Sequence, residues 1–346
     1  MSFFKNLFCK EKKSESVVCI DIAAESVAGA YVHYSECETT PALIYGRRLP
    51  IEIRKDEPHE NAMVRALEIL GNELIREGAP ALLRAVGSGS ADAILVSIDA
   101  PWQETKVRTE HFERDRPFLF TKSMVTAAMQ KTRAETPGKM LADESVIGTI
   151  LNGYETHHPY GRKVHRASII VLSSLIEEKV TESISATLRG IFHTKNIQSI
   201  AGSSLRYQAL RAAFPHERDG LIIDATEHAI SIALIRNGLF TALAEVADLP
   251  KDRQWIDVVA DECTGIAEKY PLPRIIFLLA REQDMDSFHK MLESGDFGKL
   301  WLSDNPPTII PVLAGHLSSL VHQTATAPPD LQLLLMTLFY QHREML

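Results

Sequence analysis

Two aspartates follow apolar, strand-like segments and precede short turns of small or polar residues. They are Asp21 and Asp224, and the turns after them contain Ser26 and Thr226. Carboxylate oxygens and water are the ligands that Mg²⁺ prefers, and backbone N–H groups in a tight turn can bind phosphate oxygens. These four residues are therefore candidate contacts for a magnesium ion and a nucleotide phosphate.

The two aspartates belong to the same strand–turn–strand pattern, which occurs twice in the chain. Residues 16–34 and residues 220–240 each contain an apolar strand, a turn and a second apolar strand. An internal repeat of this kind predicts a duplicated fold. Two such hairpins that face each other across a cleft can hold a triphosphate between them.

Length and composition set limits on the class of protein. The chain has 346 residues, with 45% hydrophobic and 24% charged residues, which is typical of globular proteins with two domains or one bilobal domain. The net charge of -8 argues against a nucleic-acid partner. The four cysteines are too scattered for a zinc site or redox dithiol, and no apolar run is long enough for a membrane span. We therefore expect a cytoplasmic protein with free thiols.

The order of these segments resembles that of the FtsA and PilM families in the actin-like ATPase superfamily. The first phosphate loop of these families has the form Asp-Ile-Gly-small-Ser-Ser-Val-Lys, which residues 19–27 resemble, and residues 224–233 are similar to their second loop. The resemblance implies an α/β, ribonuclease-H-like fold of duplicated βββαβα lobes. It also implies ATP and Mg²⁺ as the ligands of an intact site.

Two further segments carry the resemblance. Residues 150–154 and 159–161, followed by a strand at 167–175, resemble the small inserted α+β domain of FtsA and PilM, which mediates protein contacts. Residues 273–278 resemble the strand before their adenosine-binding Gly-Gly turn. The predicted division is a flexible arm at 1–15, a first lobe at 16–120, an inserted domain at 121–200, and the remainder of the first lobe with a reduced second lobe at 201–346.

The sequence departs from the family pattern in the loops that would bind nucleotide. Ala23 replaces the glycine of the first loop, and Ala28 replaces its lysine. The second loop has no glycine between Asp224 and Ala233. Glu25 and Glu227 add negative charge where a triphosphate would lie. These changes predict weak or absent phosphate binding.

The chain is also shorter than the family pattern between the second loop and the adenosine strand. Only a strand end, a loop and one helix fit between Asp224 and Ile275, and Ala280-Arg281 replaces the Gly-Gly turn. We therefore expect the nucleotide-closing subdomain to be reduced or absent, with no cofactor and no catalysis. In that case Asp21, Ser26, Asp224 and Thr226 are vestigial, and the aspartates stabilise their turns by hydrogen bonds.

The leading hypothesis is a non-catalytic scaffold at the cytoplasmic face of the membrane, in cell-division or type IV pilus machinery. Residues 121–200 would bind a membrane-associated partner, and actin-like folds also self-associate. The alternative is an ATP-binding switch or weak ATPase, in which the four loop residues still contact Mg²⁺ and phosphate.

Three other segments have two interpretations each. Residues 3–13 mix aromatic and lysine side chains, so they could contact an anionic membrane or form a frayed end or a docking peptide. The apolar terminal segment from Asp330 is predicted to be a docked core helix rather than a membrane-targeting helix. His157, His158 and His165 are predicted to form an exposed polar turn, not a metal site.

Overall fold

The computed structural model describes most of the chain. The described residues are 14–36, 39–130, 138–156, 158–226, 229–247, 249, 253–295, 297, 300–301, 306–324 and 329–343. The arm at residues 3–13, His157 and Glu227 lie outside them, as do Cys9 and Cys37. Cys19 and Cys263 are buried free thiols.

The chain alternates strands and helices, as expected for an α/β protein. The strands are β1 (Glu15–Ile22), β2 (Ser26–Tyr34), β3 (Ala42–Pro50), β4 (Ala93–Ile98), β5 (Gln103–Leu119), β6 (Lys139–Leu151), β7 (Tyr154–Glu155), β8 (Lys163–Glu177), β9 (Ile197–Ala201), β10 (Gly220–Ala225), β11 (Ala229–Arg236), β12 (Leu239–Ala247), β13 (Ile275–Leu279), β14 (Thr308–Pro311) and β15 (His322–Gln323). The α-helices are α1 (His59–Glu73), α2 (Ala79–Val86), α3 (Lys122–Gln130), α4 (Glu178–Phe192), α5 (Gly202–Ala213), α6 (Trp255–Ala267), α7 (Glu282–Ser294) and α8 (Leu331–His342).

The chain forms two compact units. The first comprises Met1–Ser97, Ser183–Gln198 and Ala314–Leu346, and the second comprises Ile98–Glu182 and Ser199–Leu313. The sheet of the first unit has the strand order β15-β3-β2-β1-β4, and β9 completes it where the chain passes into the second unit.

Helices cover both faces of the first sheet. A Cβ atom added to Gly29 would lie against Leu74, in the π-helical turn that continues α1, whereas one added to Gly46 would contact Leu333 of α8. Gly46 pairs with Ala30, the neighbour of Gly29, and successive residues of a strand point to opposite faces. The end of α1 and α8 therefore pack on opposite faces of this sheet.

The second unit contains a five-stranded sheet that repeats the start of the first one. Its order is β12-β11-β10-β13-β14, so β10, β11 and β12 form an antiparallel meander like that of β1, β2 and β3. Alternate residues of β10 and β11 pack with α6 and α7 in one apolar cluster. Leu221 and Ile223 belong to this cluster, so Asp224 faces the other side of the sheet.

A separate four-stranded sheet in the second unit contains residues 139–177 of the predicted insertion, whereas residues 183–198 of that segment belong to the first unit. Its strand order is β5-β8-β6-β7, and α3 packs on one face through Val125 and Ala128. This sheet includes β5, which the sequence-based division assigned to the first lobe. Most side chains of β5 are charged or exposed, so its sequence lacks the apolar pattern that identifies a strand.

The terminal segment forms a core helix, as predicted. Residues Leu333 to Tyr340 of α8 are buried, and the Asp330 side chain caps the helix by accepting a hydrogen bond from the Leu333 N–H at 3.1 Å. Within the described part of the chain, no helix combines the length and apolarity that crossing a bilayer requires.

Candidate functional site

The first candidate loop is the turn between β1 and β2. The N–H of Ala23 donates to the carbonyl of Ser26 at 3.0 Å, and none of the four residues from Ala23 to Ser26 has a positive φ. The carbonyl of Ala24 contacts His59 Nε2 at 2.9 Å, and that of Glu25 accepts from the N–H of Ile51 at 2.7 Å. This turn therefore does not require the glycine that the family pattern has at Ala23.

Asp21 lies in a cross-strand row with an arginine. Asp21 pairs with Ala28 in the register of β1 and β2, and Ala28 pairs with Arg48 in that of β2 and β3. Residues in one row point to the same face of a sheet. Arg48 Nη2 donates to Asp21 Oδ2 at 3.0 Å across the small Ala28, and its Nη1 donates to Ser26 Oγ at 2.8 Å.

Asp330 is the second carboxylate partner of the same arginine. Arg48 Nε lies 2.7 Å from Asp330 Oδ2, and Nη2 lies 3.1 Å from Oδ1. Burial alone would raise the pKa of Asp330, but the charge and hydrogen bonds of Arg48 hold it below the usual value. Burial would lower the pKa of Arg48, and Asp330 and Asp21 raise it instead. Asp21, Arg48 and Asp330 thus form one group of ion pairs within the first unit.

The second candidate loop has the same register as the first. Asp224 pairs with Ser231, seven residues later, just as Asp21 pairs with Ala28. The N–H of Thr226 donates to the carbonyl of Ala229 at 2.9 Å, which matches the bond from Ala23 to Ser26. The Thr226 hydroxyl also accepts from the Ala229 N–H at 3.0 Å. Thr226 therefore stabilises its own turn.

Asp224 also binds an arginine, but this one comes from a helix. Arg206 of α5 places Nε 2.5 Å from Asp224 Oδ2. Its two terminal nitrogens contact Asp99 in a bidentate pair, Nη2 to Oδ1 at 2.5 Å and Nη1 to Oδ2 at 3.0 Å. Arg206 is almost completely buried. Charge-assisted, bidentate pairs of this kind are among the strongest hydrogen bonds in proteins.

Gly202 makes room for the Asp99 carboxylate at the start of α5. A Cβ atom at this position would lie only 1.8 Å from Asp99 Oδ1 and 2.9 Å from Arg206 Nη1. The carboxylate thus packs directly against the first turn of the helix, where the positive end of the helix dipole favours an anion. Gly202 thus leaves space for the Asp99 carboxylate, and Arg206 binds it.

Glu245 adds a third carboxylate to this part of the second unit. It pairs with Ser231 in the register of β11 and β12, and so continues the row that begins at Asp224. Its carboxylate accepts a hydrogen bond from the Thr105 N–H at 3.2 Å. Burial, together with the nearby Asp99, raises the pKa of Glu245 to about 7, although Thr105 and Arg206 oppose this rise.

The four predicted loop residues thus lie in two separate groups. Asp21 and Ser26 share Arg48, whereas Asp224 binds Arg206 and Thr226 bonds within its turn. Each of the two aspartates belongs to an Asp–Arg–Asp group. A Mg²⁺ ion at either aspartate would compete with a guanidinium that already neutralises it.

Sequence reasoning did not identify the arginines or their second carboxylates. Arg48 lies 27 residues after Asp21, and Asp330 lies 282 residues after Arg48. Strand register could have indicated Arg48. A hairpin ending at residues 22 and 27 aligns Asp21 with Ala28, and Ala28 in turn pairs with Arg48 of the next strand. No local pattern indicates Arg206, because it approaches Asp224 from a separate helix.

The strand predicted at residues 273–278 is observed as β13. β13 runs parallel to β10, with Asp224 opposite Leu279. The described residues between β12 and β13 contain one helix, α6. Where the family has its Gly-Gly turn, Arg281 Nε contacts Asp284 Oδ2 at 2.7 Å, close to the start of α7.

The predicted turn of the insertion forms a hairpin. Asn152 and Gly153 both have positive φ, 50° and 90°, as two-residue hairpin turns require. The Asn152 side chain accepts from the backbone N–H groups of His165 and Arg166 at 3.0 and 3.1 Å. Among the residues that the structure describes, no three His, Cys, Asp or Glu side chains are grouped as metal ligands would be.

No family model and no curated protein matches the sequence. Among solved structures, a chain of the PilM–PilN type IV pilus biogenesis complex is similar, with a TM-score of 0.55 and 12% identity over 94% of this chain and 98% of that chain. More distant similarities include a Bacteroides thetaiotaomicron protein with an actin-like ATPase fold and unknown function, with a TM-score of 0.46 and 8% identity over 86% of this chain and 91% of that one. Another is an exopolyphosphatase from Cytophaga hutchinsonii, with a TM-score of 0.40 and 7% identity over 82% of this chain and 72% of that one.

At this level of identity, the PilM–PilN similarity concerns the fold alone. It covers nearly all of both chains, and the present chain also has the predicted pair of β-meanders, each with an aspartate in the same register. The chain therefore has the α/β actin-like fold that its sequence indicates.

Proposed function

We propose that this chain is a non-catalytic actin-like scaffold, with its nucleotide loops converted into internal ion pairs. The observation that carries the proposal is that each loop aspartate belongs to an Asp–Arg–Asp group within its own unit. In an ATP site, such aspartates hold hydrated Mg²⁺ and must be available to it. Arg48 and Arg206 supply the positive charge instead.

The turn geometry supports the same proposal. The N–H groups of Ala23 and Thr226 already donate to carbonyl groups within their turns, and the Thr226 hydroxyl is also used within its own turn. Only α6 is described in the segment where the related families have the subdomain that closes over the base. The proposal therefore includes no ATP hydrolysis and no requirement for nucleotide.

We assign the scaffold to protein assembly at the cytoplasmic face of the membrane, in machinery of the type IV pilus kind. The sequence left cell division and pilus assembly open, and the similarity to a chain of the PilM–PilN complex favours the second. The four-stranded sheet with α3 is the proposed partner-binding surface, since α3, β6, β7 and β8 lie within residues 121–200, which resemble the insertion that mediates protein contacts in FtsA and PilM.

Thermal denaturation with and without Mg-ATP tests the nucleotide part of the proposal. A ligand at a hundredfold excess over its Kd adds about 2.7 kcal/mol to the free energy of unfolding. We expect no change in the unfolding midpoint with Mg-ATP and no release of phosphate. A clear upward shift that Asp224→Ala abolishes would establish the alternative, an ATP-binding switch.

Cross-linking in the cells that produce the protein tests the scaffold part. We expect a tagged chain to cross-link to an integral membrane protein, and mass spectrometry then identifies the partner. Recovery of the chain without any membrane-protein partner, under conditions that capture a known membrane complex of the same cells, contradicts the proposal.

A further inference from the structure

One end of the four-stranded sheet carries an unusual concentration of cationic and aromatic side chains. We define the sheet tip as the described residues within 112–122 and 151–166. The strand ends are held together there, because the N–H of Phe120 donates to the carbonyl of Arg162 at 3.0 Å and the N–H of Gly161 donates to that of Phe120 at 2.9 Å. The sheet tip is therefore one structured surface of the second unit.

The sheet tip has a charge opposite to that of the chain as a whole. Six lysines and arginines and three acidic residues lie in residues 112–122 and 151–166, whereas the whole chain has a net charge of -8. All six cationic side chains are exposed, and they are Arg114, Arg116, Lys122, Arg162, Lys163 and Arg166. An excess of positive charge on an acidic protein favours an anionic partner at this surface.

Two of these arginines, Arg114 and Arg116, lie in a break in strand pairing. Glu113 pairs with Arg166 and Phe118 pairs with Val164, so the four residues 114–117 of β5 lie opposite a single residue of β8. Bulges of this kind re-aim side chains at sheet edges. The guanidinium of Arg114 lies 5.0 Å from the centre of the Phe118 ring, which supports it without neutralising its charge.

Exposed aromatic residues lie among the cations. Tyr154 is 79% exposed, and Tyr160 is 44% exposed. Tyr160 stacks on Phe120 at a ring distance of 6.0 Å and carries the Lys122 ammonium 5.5 Å from its ring centre. Tyrosine and arginine together are the residue types that dominate the energetics of protein interfaces.

The sheet tip also contains a groove, at the turn formed by Asn152 and Gly153. It has a volume of about 380 Å³ and lies along the turn at Asn152 and Gly153 and the residues from His165 to Ser168. The partly buried Ile150 supplies apolar surface to its wall, and Arg166 supplies charge. Grooves of this size accept the side chains of a short segment.

We propose that the sheet tip binds a short acidic segment of a protein partner, with carboxylates on Arg114, Arg116 and Arg166 and an apolar side chain in the groove. This inference rests on the proposed function, in which the four-stranded sheet binds partners, and it adds the chemistry of the partner. A peptide suits this surface better than a lipid bilayer does, because the groove is concave and the Arg114–Pro117 bulge lies opposite His165, which lines the groove. The ion pair from Arg166 to Glu113, 2.6 Å long, is exposed and so opens at low cost.

Fluorescence anisotropy with a labelled peptide tests the inference on the full chain. The probe is a short peptide of glutamates and aspartates around one leucine, and the control peptide has glutamine and asparagine at the acidic positions. Arg114→Glu/Arg116→Glu reverses two charges of the bulge. The matched control, Arg84→Glu/Lys195→Glu, reverses two exposed cations of the first unit.

We expect the acidic peptide to bind and the neutral peptide to bind at least about tenfold more weakly. Added salt should lower the affinity of the chain for the acidic peptide. Arg114→Glu/Arg116→Glu should lower the affinity for the acidic peptide at least about tenfold. Arg84→Glu/Lys195→Glu should change this affinity by less than about twofold. If the bulge variant fails to fold, Arg166→Gln and Tyr154→Ala provide the same test with smaller changes.

Three results would overturn the inference: absence of binding, equal losses in the bulge variant and its control, or equal affinity for both peptides. The last measurement is the binding of the chain to vesicles of phosphatidylglycerol. If they bind the chain through Arg114 and Arg116 while the peptide does not, the surface is a membrane site and the inference is wrong. A thermal shift with Mg-ATP would overturn the proposed function without changing these peptide results, so the two failures are distinguishable.

Discussion

Arg48 Nη2 lies 3.0 Å from Asp21 Oδ2, across the residue that separates them in the sheet, Ala28. In the resembled phosphate loop, a lysine stands at the position of Ala28. Here the positive charge comes from the neighbouring strand, and the small alanine allows the two longer side chains to meet. The cation on this strand binds the loop aspartate itself.

Replacement of Arg48 should destabilise the first unit strongly. Arg48→Met leaves the buried Asp21 and the carboxylate of Asp330 without their cation, which costs about 3 kcal/mol in the free energy of unfolding. Arg47→Met is the matched control, because the Arg47 side chain is 53% exposed and its pair with Glu73 contributes less than about 1 kcal/mol. Urea unfolding measures both variants.

The second change Asp21→Asn sharpens this test. In the Arg48→Met background it removes a buried negative charge that has lost its arginine, so it should recover part of the lost stability. Equal losses in Arg48→Met and Arg47→Met, or a further loss when Asp21→Asn is added, would show that the ion pair does not stabilise the unit.

Replacement of Arg206 should have an even larger effect on the second unit. Arg206→Met removes the cation that pairs with Asp99 and Asp224 and that lies near Glu245, at a cost of about 3–5 kcal/mol. Arg206→Lys retains the charge but cannot form the bidentate pair with Asp99, so an intermediate loss is expected. If the lysine variant is as stable as the natural chain, the fork geometry of Arg206 has no energetic importance.

The apolar patterns of the sequence predict much of the fold. The hairpins that contain Asp21 and Asp224 are long, buried and β-branched, and such runs identify core strands reliably. The helix that begins after Asp330 is also evident, because its apolar residues occur at nearly every position. In contrast, β5 alternates charged residues on an exposed edge, so only its pairing with β8 reveals it.

The candidate site is less predictable than the fold. Sequence identifies the two aspartates and the missing glycines, which are local features. The arginine partners of these aspartates come from a third strand and from α5, and no periodicity connects residues so far apart in the chain. A charge deep in a protein requires a partner, and this rule predicts that a cation exists without saying which one.

Replacement of Gly202 should destabilise the second unit, although this glycine lies at the start of a helix. Gly202→Ala would place Cβ 1.8 Å from Asp99 Oδ1, so the carboxylate must leave its bidentate pair with Arg206. We expect a loss of about 2–3 kcal/mol, as for a broken buried polar network. The matched control is Gly190→Ala in α4, where an added Cβ meets nothing within 4 Å.

The control variant should change stability in the opposite direction. Alanine is favoured over glycine within a helix by about 0.5–1 kcal/mol, so Gly190→Ala should raise the unfolding midpoint. Thermal unfolding of the two variants distinguishes a steric conflict at Asp99 from a general effect of added methyl groups. If Gly202→Ala is also stabilising, the Asp99 carboxylate is free to move away from Arg206.

Glu245 should make the second unit less stable as the pH rises. Its pKa is about 7 in the folded chain against an ordinary value of 4.5, so between these two values the folded state holds more protons than the unfolded state. Stability therefore falls from pH 4.5 to pH 7, and the full penalty of about 3 kcal/mol applies above pH 7. Glu245→Gln removes this titration and leaves an oxygen that accepts the Thr105 N–H.

The variant should therefore be more stable than the natural chain at pH 8 and nearly equal to it at pH 4.5. Glu104→Gln provides the control, because hydrogen bonds from Lys106 and Lys139 lower the pKa of Glu104. A group with a lowered pKa stabilises the folded chain at neutral pH, so Glu104→Gln should give no gain at pH 8. Urea unfolding at pH 5, 6, 7 and 8 measures the difference in slope. A difference between Glu245→Gln and the natural chain that does not change with pH would mean that Glu245 is ionised throughout this range.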